Sequence, residues 1–168
     1  MRRILPILAL SLLAACSSQP PAPEQSAAGV DSRNGRDVVG AVGQYSPENL
    51  KNPNSVLSKR EVFFDLDSFT IRNEFKPLLE AHAKFLQANP KYKMLIQGNT
   101  DERGSREYNL ALGQKRAEAV KKALQLFGAS ESQIEAVSLG KEKPRCTDSS
   151  EDCWAQNRRA DILYTGEF

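Results

Sequence analysis

Few residues in this 168-residue chain have the types and spacing to do chemistry, and the informative ones are charged. Asp101 stands just past an apolar run, and Arg116 lies 15 residues later, about two turns into the helix expected there. That separation can bring a carboxylate and a guanidinium to the two sides of one pocket. A zwitterionic amino-acid end would pair with both at once, the aspartate accepting from the ammonium and the arginine taking the carboxylate in a bidentate fork. The same two residues could instead pair with each other as a structural bridge, and their charges alone leave both readings open. Nucleophilic triads lack a base, because the one histidine, His82, falls on the apolar stripe of a helix, where a hydrogen-bonded, partly buried imidazole is expected. No phosphate-cradling glycine loop and no HExxH motif occurs.

Composition narrows the classes further. There are 23 Lys and Arg against 21 Asp and Glu, and Arg2 and Arg3 supply the whole of the +2 excess. The body of the chain therefore lacks the basic surplus that nucleic-acid binding leans on. Mean hydropathy is −0.50, and the longest apolar run, Ile4 to Ala15, falls short of the roughly 20 residues that cross a bilayer. Arg2-Arg3, the apolar Ile4–Leu13 and the small residues before Cys16 have the layout of a secretory signal peptide over residues 1–15. Leu13-Ala14-Ala15-Cys16 resembles the bacterial lipobox, which implies a diacylated Cys16, stable membrane anchoring and no cofactor besides that covalent lipid. Ser17 rather than aspartate follows, and the resemblance to lipoprotein sorting in enteric bacteria implies the outer membrane.

Residues 16–60 read as the lipidated cysteine and a tether, rich in Pro, Ser, Gln and Gly, with too few large apolar side chains to order themselves. Residues 17–60 would reach at most roughly 150 Å extended and about 35–40 Å as a coil. Tyr45, Leu50 and Val56-Leu57 are the positions that could still pack on the following domain. That domain, residues 61–168, alternates at Val62, Phe64 and Leu66 as a strand over 61–67. A helical stripe follows from Ile71 to Leu86, with Pro77 near its first turn. A strand at Met94–Ile96 stops at Gly98, a second helix runs from Tyr108 to Phe127, and strands follow at Ile134–Leu139 and Arg159–Tyr164. The fold class is α+β in the order β-α-β-α-β-β, a mixed four-stranded sheet with two helices on one face. Residues 140–156 read as a polar connection holding Cys146 and Cys153. An oxidising compartment favours pairing the two, and one histidine with no further cysteine makes a metal site a poor alternative.

The loop and helix after the second strand carry a longer pattern. Thr100-Asp101, Gly104, Tyr108-Asn109, Leu112-Gly113, Arg116-Ala117 and Val120 match T-D-x-x-G-x-x-x-Y-N-x-x-L-[SG]-x-x-R-A-x-x-V at every position. Asn157-Arg158-Arg159-Ala160 and the Phe64, Asp67, Ile71 spacing also match, so the chain resembles the OmpA-like peptidoglycan-binding domain over about residues 60–166. Together with the lipobox, it is similar to the lipid-anchored members of that family.

The resemblance implies a ligand, the side-chain end of diaminopimelate in peptidoglycan, and a site formed by Leu66, Asp67, Asp101, Arg103 and Arg116. One of Arg158 and Arg159 could serve only to pair with neighbouring acids. It further implies a non-enzymatic outer-membrane lipoprotein on the periplasmic face, working in envelope integrity and cell division, with TolB and other Tol proteins as partners and no nucleic acid. The runner-up is a cell-wall hydrolase using Asp65, Asp67 and Asp101 as acid/base carboxylates. A motor anchor with the same head would need a membrane-spanning helix, which the short apolar run does not supply.

Overall fold

The computed structural model describes residues 43–167. Seven elements follow one another: β1 (Glu61–Phe63), α1 (Lys76–Ala88), β2 (Met94–Asn99), α2 (Arg106–Leu126), β3 (Ile134–Gly140), α3 (Glu151–Asn157) and β4 (Arg159–Tyr164). The strands form one mixed sheet in the order β1-β4-β2-β3. β2 and β3 are parallel, joined through α2, while β4 inserts antiparallel to both β1 and β2.

Local sequence accounts for most of this. Pro77 sits in the first turn of α1, where a missing N–H costs nothing, and the helix buries Leu78, Leu79, His82, Phe85 and Leu86 on one stripe. Ser105 caps α2 by accepting from the Tyr108 N–H at 3.1 Å. Gly98 on β2 and Gly113 on α2 meet backbone to backbone: a Cβ built on Gly98 would lie 1.8 Å from the Gly113 carbonyl oxygen. That contact seats the N-terminal half of α2 directly on the sheet and carries Arg116 down to the sheet's end.

The core gathers Leu57, Val62, Leu79, Phe85, Ile96, Val120, Leu124, Ile162 and Tyr164. His82 lies within it, fully buried rather than partly. Its Nε2 faces the Lys59 carbonyl at 2.8 Å, which can only accept, so Nε2 carries the proton and Nδ1 accepts from the Tyr164 hydroxyl at 2.7 Å. Burial, reinforced by Arg60, lowers its pKa to about 4, so the ring is neutral at physiological pH.

Two sequence expectations are corrected. β1 ends at Phe63 rather than running to 67. Phe64 stays buried and donates its N–H to the Arg158 carbonyl, but the chain then turns, with Asp67 in the left-handed region at φ 52° and Leu66 58% exposed. An aspartate tolerates that conformation better than most residues do, and period-2 alternation could not register it. The 140–156 connection contains a helix, α3, making three helices instead of two. Ser150 caps it and Glu151-Asp152 supply acid at its first turn, but seven residues are too few to show a stripe. The positions before residue 61 that could pack on the domain, Tyr45, Leu50, Val56 and Leu57, do so. Turns at Pro47–Leu50 and Val56–Ser58 bury Leu50 and Leu57, and Arg60 Nη2 donates to the Leu50 carbonyl at 2.9 Å. The signal peptide, Cys16 and most of the tether lie outside the described residues.

Candidate functional site

Beside the loop that follows β2 and the first turns of α2 lies a pocket of about 240 Å³. Leu66, Asp67, Asp101, Arg103 and Arg116 all line it, together with Thr100, Tyr108, Asn109 and Leu112. The five residues proposed from sequence are therefore neighbours, although 50 positions separate the first from the last.

The loop is held open by its own polar groups. Asp101 Oδ1 accepts from the Arg103 N–H at 3.1 Å, and Gly104 takes φ 89°, a conformation that glycine alone reaches without strain. Asn109 Nδ2 donates to the Arg103 and Ser105 carbonyls at 2.8 and 3.0 Å, and Lys141 Nζ donates to the Glu102 and Gly104 carbonyls. Asn109 and Arg116 are seven residues apart, two helical turns, and so share the buried face of α2.

The carboxylate wall comes next. Asp101 is 5% exposed, and Arg103 grips it with Nε at 3.2 Å on one oxygen and Nη2 at 2.7 Å on the other. Arg158 Nη1 adds a contact at 3.4 Å. Burial alone would raise this carboxyl's pKa, but the Arg103 hydrogen bonds and charge outweigh it and hold the group below the usual carboxylate range. Asp67 is exposed at the rim and accepts a hydrogen bond from the Tyr108 hydroxyl.

Arg116 forms the opposite wall. It is fully buried, the largest side chain in the molecule of which that is true among the described residues. Its Nε, Nη1 and Nη2 donate to the carbonyls of Ser68, Asn99 and Asp65 at 2.8, 2.9 and 3.1 Å, and its guanidinium carbon lies 5.2 Å from the centre of the Phe64 ring. Burial first, then the nearby Arg158, lowers its pKa to about 10, so it stays charged. The two sequence alternatives for Asp101 and Arg116 were a clamp and a mutual bridge. The ion pairs of Asp101 run to Arg103 and Arg158, so a mutual bridge is not what anchors either residue. Three backbone carbonyls accept from Arg116, so it serves the fold as well as the pocket.

Arg158 and Arg159 separate cleanly. Arg158 turns to the site, pairing with Asp101 and, at 2.6 Å, with Glu151, while Arg159 pairs with Asp161 at 3.0 Å. Trp154 does not line the pocket but touches a residue that does, its ring centre 4.0 Å from the Arg103 guanidinium carbon. Sequence reasoning assigned Tyr108, Asn109 and Trp154 no part in the site. The first two were signalled by polar residues interrupting the start of α2, whereas nothing in the spacing pointed to Trp154. Cys146 and Cys153 are joined, with Cα atoms 5.7 Å apart.

Such a pocket suits a small zwitterion better than an acid/base reaction. Asp101 has both oxygens engaged by arginines and is held ionised, the opposite of what a general acid needs. Thr100 is 2% exposed and its hydroxyl oxygen has no protein partner, a buried polar atom for which a ligand or water would be the complement.

Comparison with known proteins places these features in context. The OmpA family model matches residues 63–158. The chain is 40% identical over 157 residues to the peptidoglycan-associated lipoprotein of Pseudomonas putida, covering 92% of this chain and 91% of that one. Among solved structures it is similar to the peptidoglycan-associated lipoprotein of Burkholderia pseudomallei, with 58% identity, a TM-score of 0.68, and coverage of 69% of this chain and 98% of that one. The C-terminal domain of Helicobacter pylori MotB matches at 25% identity and a TM-score of 0.59, covering 64% of this chain and 84% of that domain.

Proposed function

The chain belongs to the OmpA family, among its peptidoglycan-associated lipoproteins, and on that footing we propose that its head binds peptidoglycan without breaking it. The observation that carries this reading is the meeting of both signs of charge in one small pocket, Asp67 and Asp101 on one side and the buried Arg116 on the other. The diaminopimelate end of a stem peptide offers an ammonium beside a carboxylate. The ammonium docks against the aspartates and the carboxylate toward the arginines. Three of the five N–H donors of Arg116 are spent on carbonyls, which leaves two for a ligand.

With Cys16 lipidated in the outer membrane and the head on the wall, the chain ties the two layers together from the periplasmic face. In this reading it belongs to the Tol system, contacts TolB, and supports envelope integrity during division. In this reading the protein is a binder and not an enzyme, since the arginine-bound, ionised Asp101 is a poor proton donor.

The test is to incubate the protein with isolated peptidoglycan sacculi, centrifuge, and analyse both fractions. Protein should pellet with the sacculi while the supernatant stays free of muropeptides. Soluble muropeptides would revive the hydrolase, and protein left entirely in the supernatant would remove the wall-binding role.

A further inference from the structure

Arg103 is held from two directions at the mouth of the pocket. Its Nε–Nη2 edge lies on Asp101, and its guanidinium carbon lies over the Trp154 ring, 4.0 Å from the centre. Nη2 also has Glu151 Oε2 at 3.9 Å, and among the described residues Nη1 meets no partner, so Nη1 is the donor left for a ligand. The guanidinium side chain is 35% exposed, and a long arginine in that setting would otherwise sample several rotamers.

Trp154 is itself anchored. Its Nε1 donates to Glu102 Oε1 at 3.0 Å, an oxygen that also accepts from Ser149 Oγ at 2.9 Å. The preceding residue, Cys153, is buried and bonded to Cys146, and Asn157 Nδ2 donates to the Cys146 carbonyl at 2.9 Å. The disulfide-closed segment thus presents one aromatic face, in one orientation, to a residue of the pocket.

We propose that Trp154 is a positioning residue for the ligand pocket: by stacking on Arg103 it fixes the plane of that guanidinium, keeping one edge on Asp101 and turning the other toward a ligand carboxylate. This rests on the peptidoglycan-binding reading above. The contact restrains one face of the cation while leaving its N–H donors free at the edges, where a carboxylate contact is made.

The comparison of Trp154→Phe with Trp154→Leu isolates the aromatic face, since both replacements are apolar, smaller than tryptophan and without its Nε1 donor, but only phenylalanine has a π surface. The mature full chain in detergent is assayed for binding to a diaminopimelate-containing stem peptide, and Asp101 is titrated by NMR. The charged groups around that carboxyl are Arg103 and Glu102 on its own loop, Arg158 before β4, Glu151 on α3 and Arg116 on α2. Phe should bind within about 2-fold of wild type, while Leu should lose about 3- to 30-fold. In the Leu variant alone, the Asp101 titration should move up as Arg103 leaves it. If Leu and Phe bind alike and Asp101 titrates alike in both, Trp154 positions nothing and the inference falls. Failure of the wild type to bind while the Leu–Phe difference in the Asp101 titration persists would overturn the ligand reading and leave the Arg103 stack standing.

Discussion

Asp101 and Arg116 wall the same pocket but are anchored independently, the aspartate by the side chains of Arg103 and Arg158, the arginine by the backbone carbonyls of Asp65, Ser68 and Asn99. Substitutions at the two positions should therefore fail in different ways, which makes their roles separable.

Asp101→Asn keeps the shape of the carboxylate and removes its charge. Binding of the stem peptide should weaken by about 10- to 100-fold, the scale of one charge-assisted contact in a partly open pocket. The fold should survive, because Arg158 retains Glu151 as a partner. Calorimetric titration beside a thermal melt decides it. Undiminished binding by folded Asp101→Asn would mean the ammonium goes elsewhere.

Arg116→Ala should unfold the protein before it reports on the ligand. Truncation takes a donor from three carbonyls, of which Asp65 keeps the Ser68 N–H, and leaves a cavity beside Phe64, a loss of about 3–5 kcal/mol. Arg116→Lys keeps the charge but not the fork, and should fold with a smaller penalty and weaker binding. Urea denaturation of the three proteins gives the order wild type, Lys, Ala. An Ala variant as stable as the wild type would show that water satisfies those carbonyls.

His82 sets an acid limb of stability. Its folded pKa of about 4 lies below its ordinary 6.5, so the unfolded chain binds the proton first and stability falls as pH drops from 6.5 toward 4. The slope from this one group approaches about 1.4 kcal/mol per pH unit. Between pH 5 and 6.5 the carboxylates with lowered pKa have not begun to contribute, so a flat wild-type profile across that window would contradict the neutral, Nε2-protonated ring. His82→Gln should be less stable at neutral pH and largely free of the slope.

Gly98→Ala should fail to fold, or lose about 3–5 kcal/mol, because the new Cβ would fall 1.8 Å from the Gly113 carbonyl oxygen and neither backbone can retreat. Expression yield and circular dichroism check this. A well-folded Gly98→Ala protein would show that α2 can lift from the sheet, and the placement of Arg116 would then need another explanation.

Much of the molecule was legible before any coordinates. The stripe of α1, the boundaries of α2 near Tyr108 and Phe127, and the strands at 134 and 159 follow from periodicity, which is a local property that a linear pattern contains. The Asp101–Gly104 loop and the Arg116 spacing were also readable, because Gly104 and the Ser105 cap determine where the loop ends and the helix begins. Tertiary structure alone decided which way the charges face. Arg116 is buried because its partners at Ser68 and Asp65 lie 48 and 51 residues upstream, contacts to which no window of sequence is sensitive. For the same reason Leu66 leaves the strand that its alternation predicts, a seven-residue helix brings Trp154 onto Arg103, and Arg158 rather than Arg159 reaches Asp101. Hydrophobic pattern states which face of an element is apolar. Where a buried polar group is stable depends on the donors and acceptors that other parts of the chain bring to it.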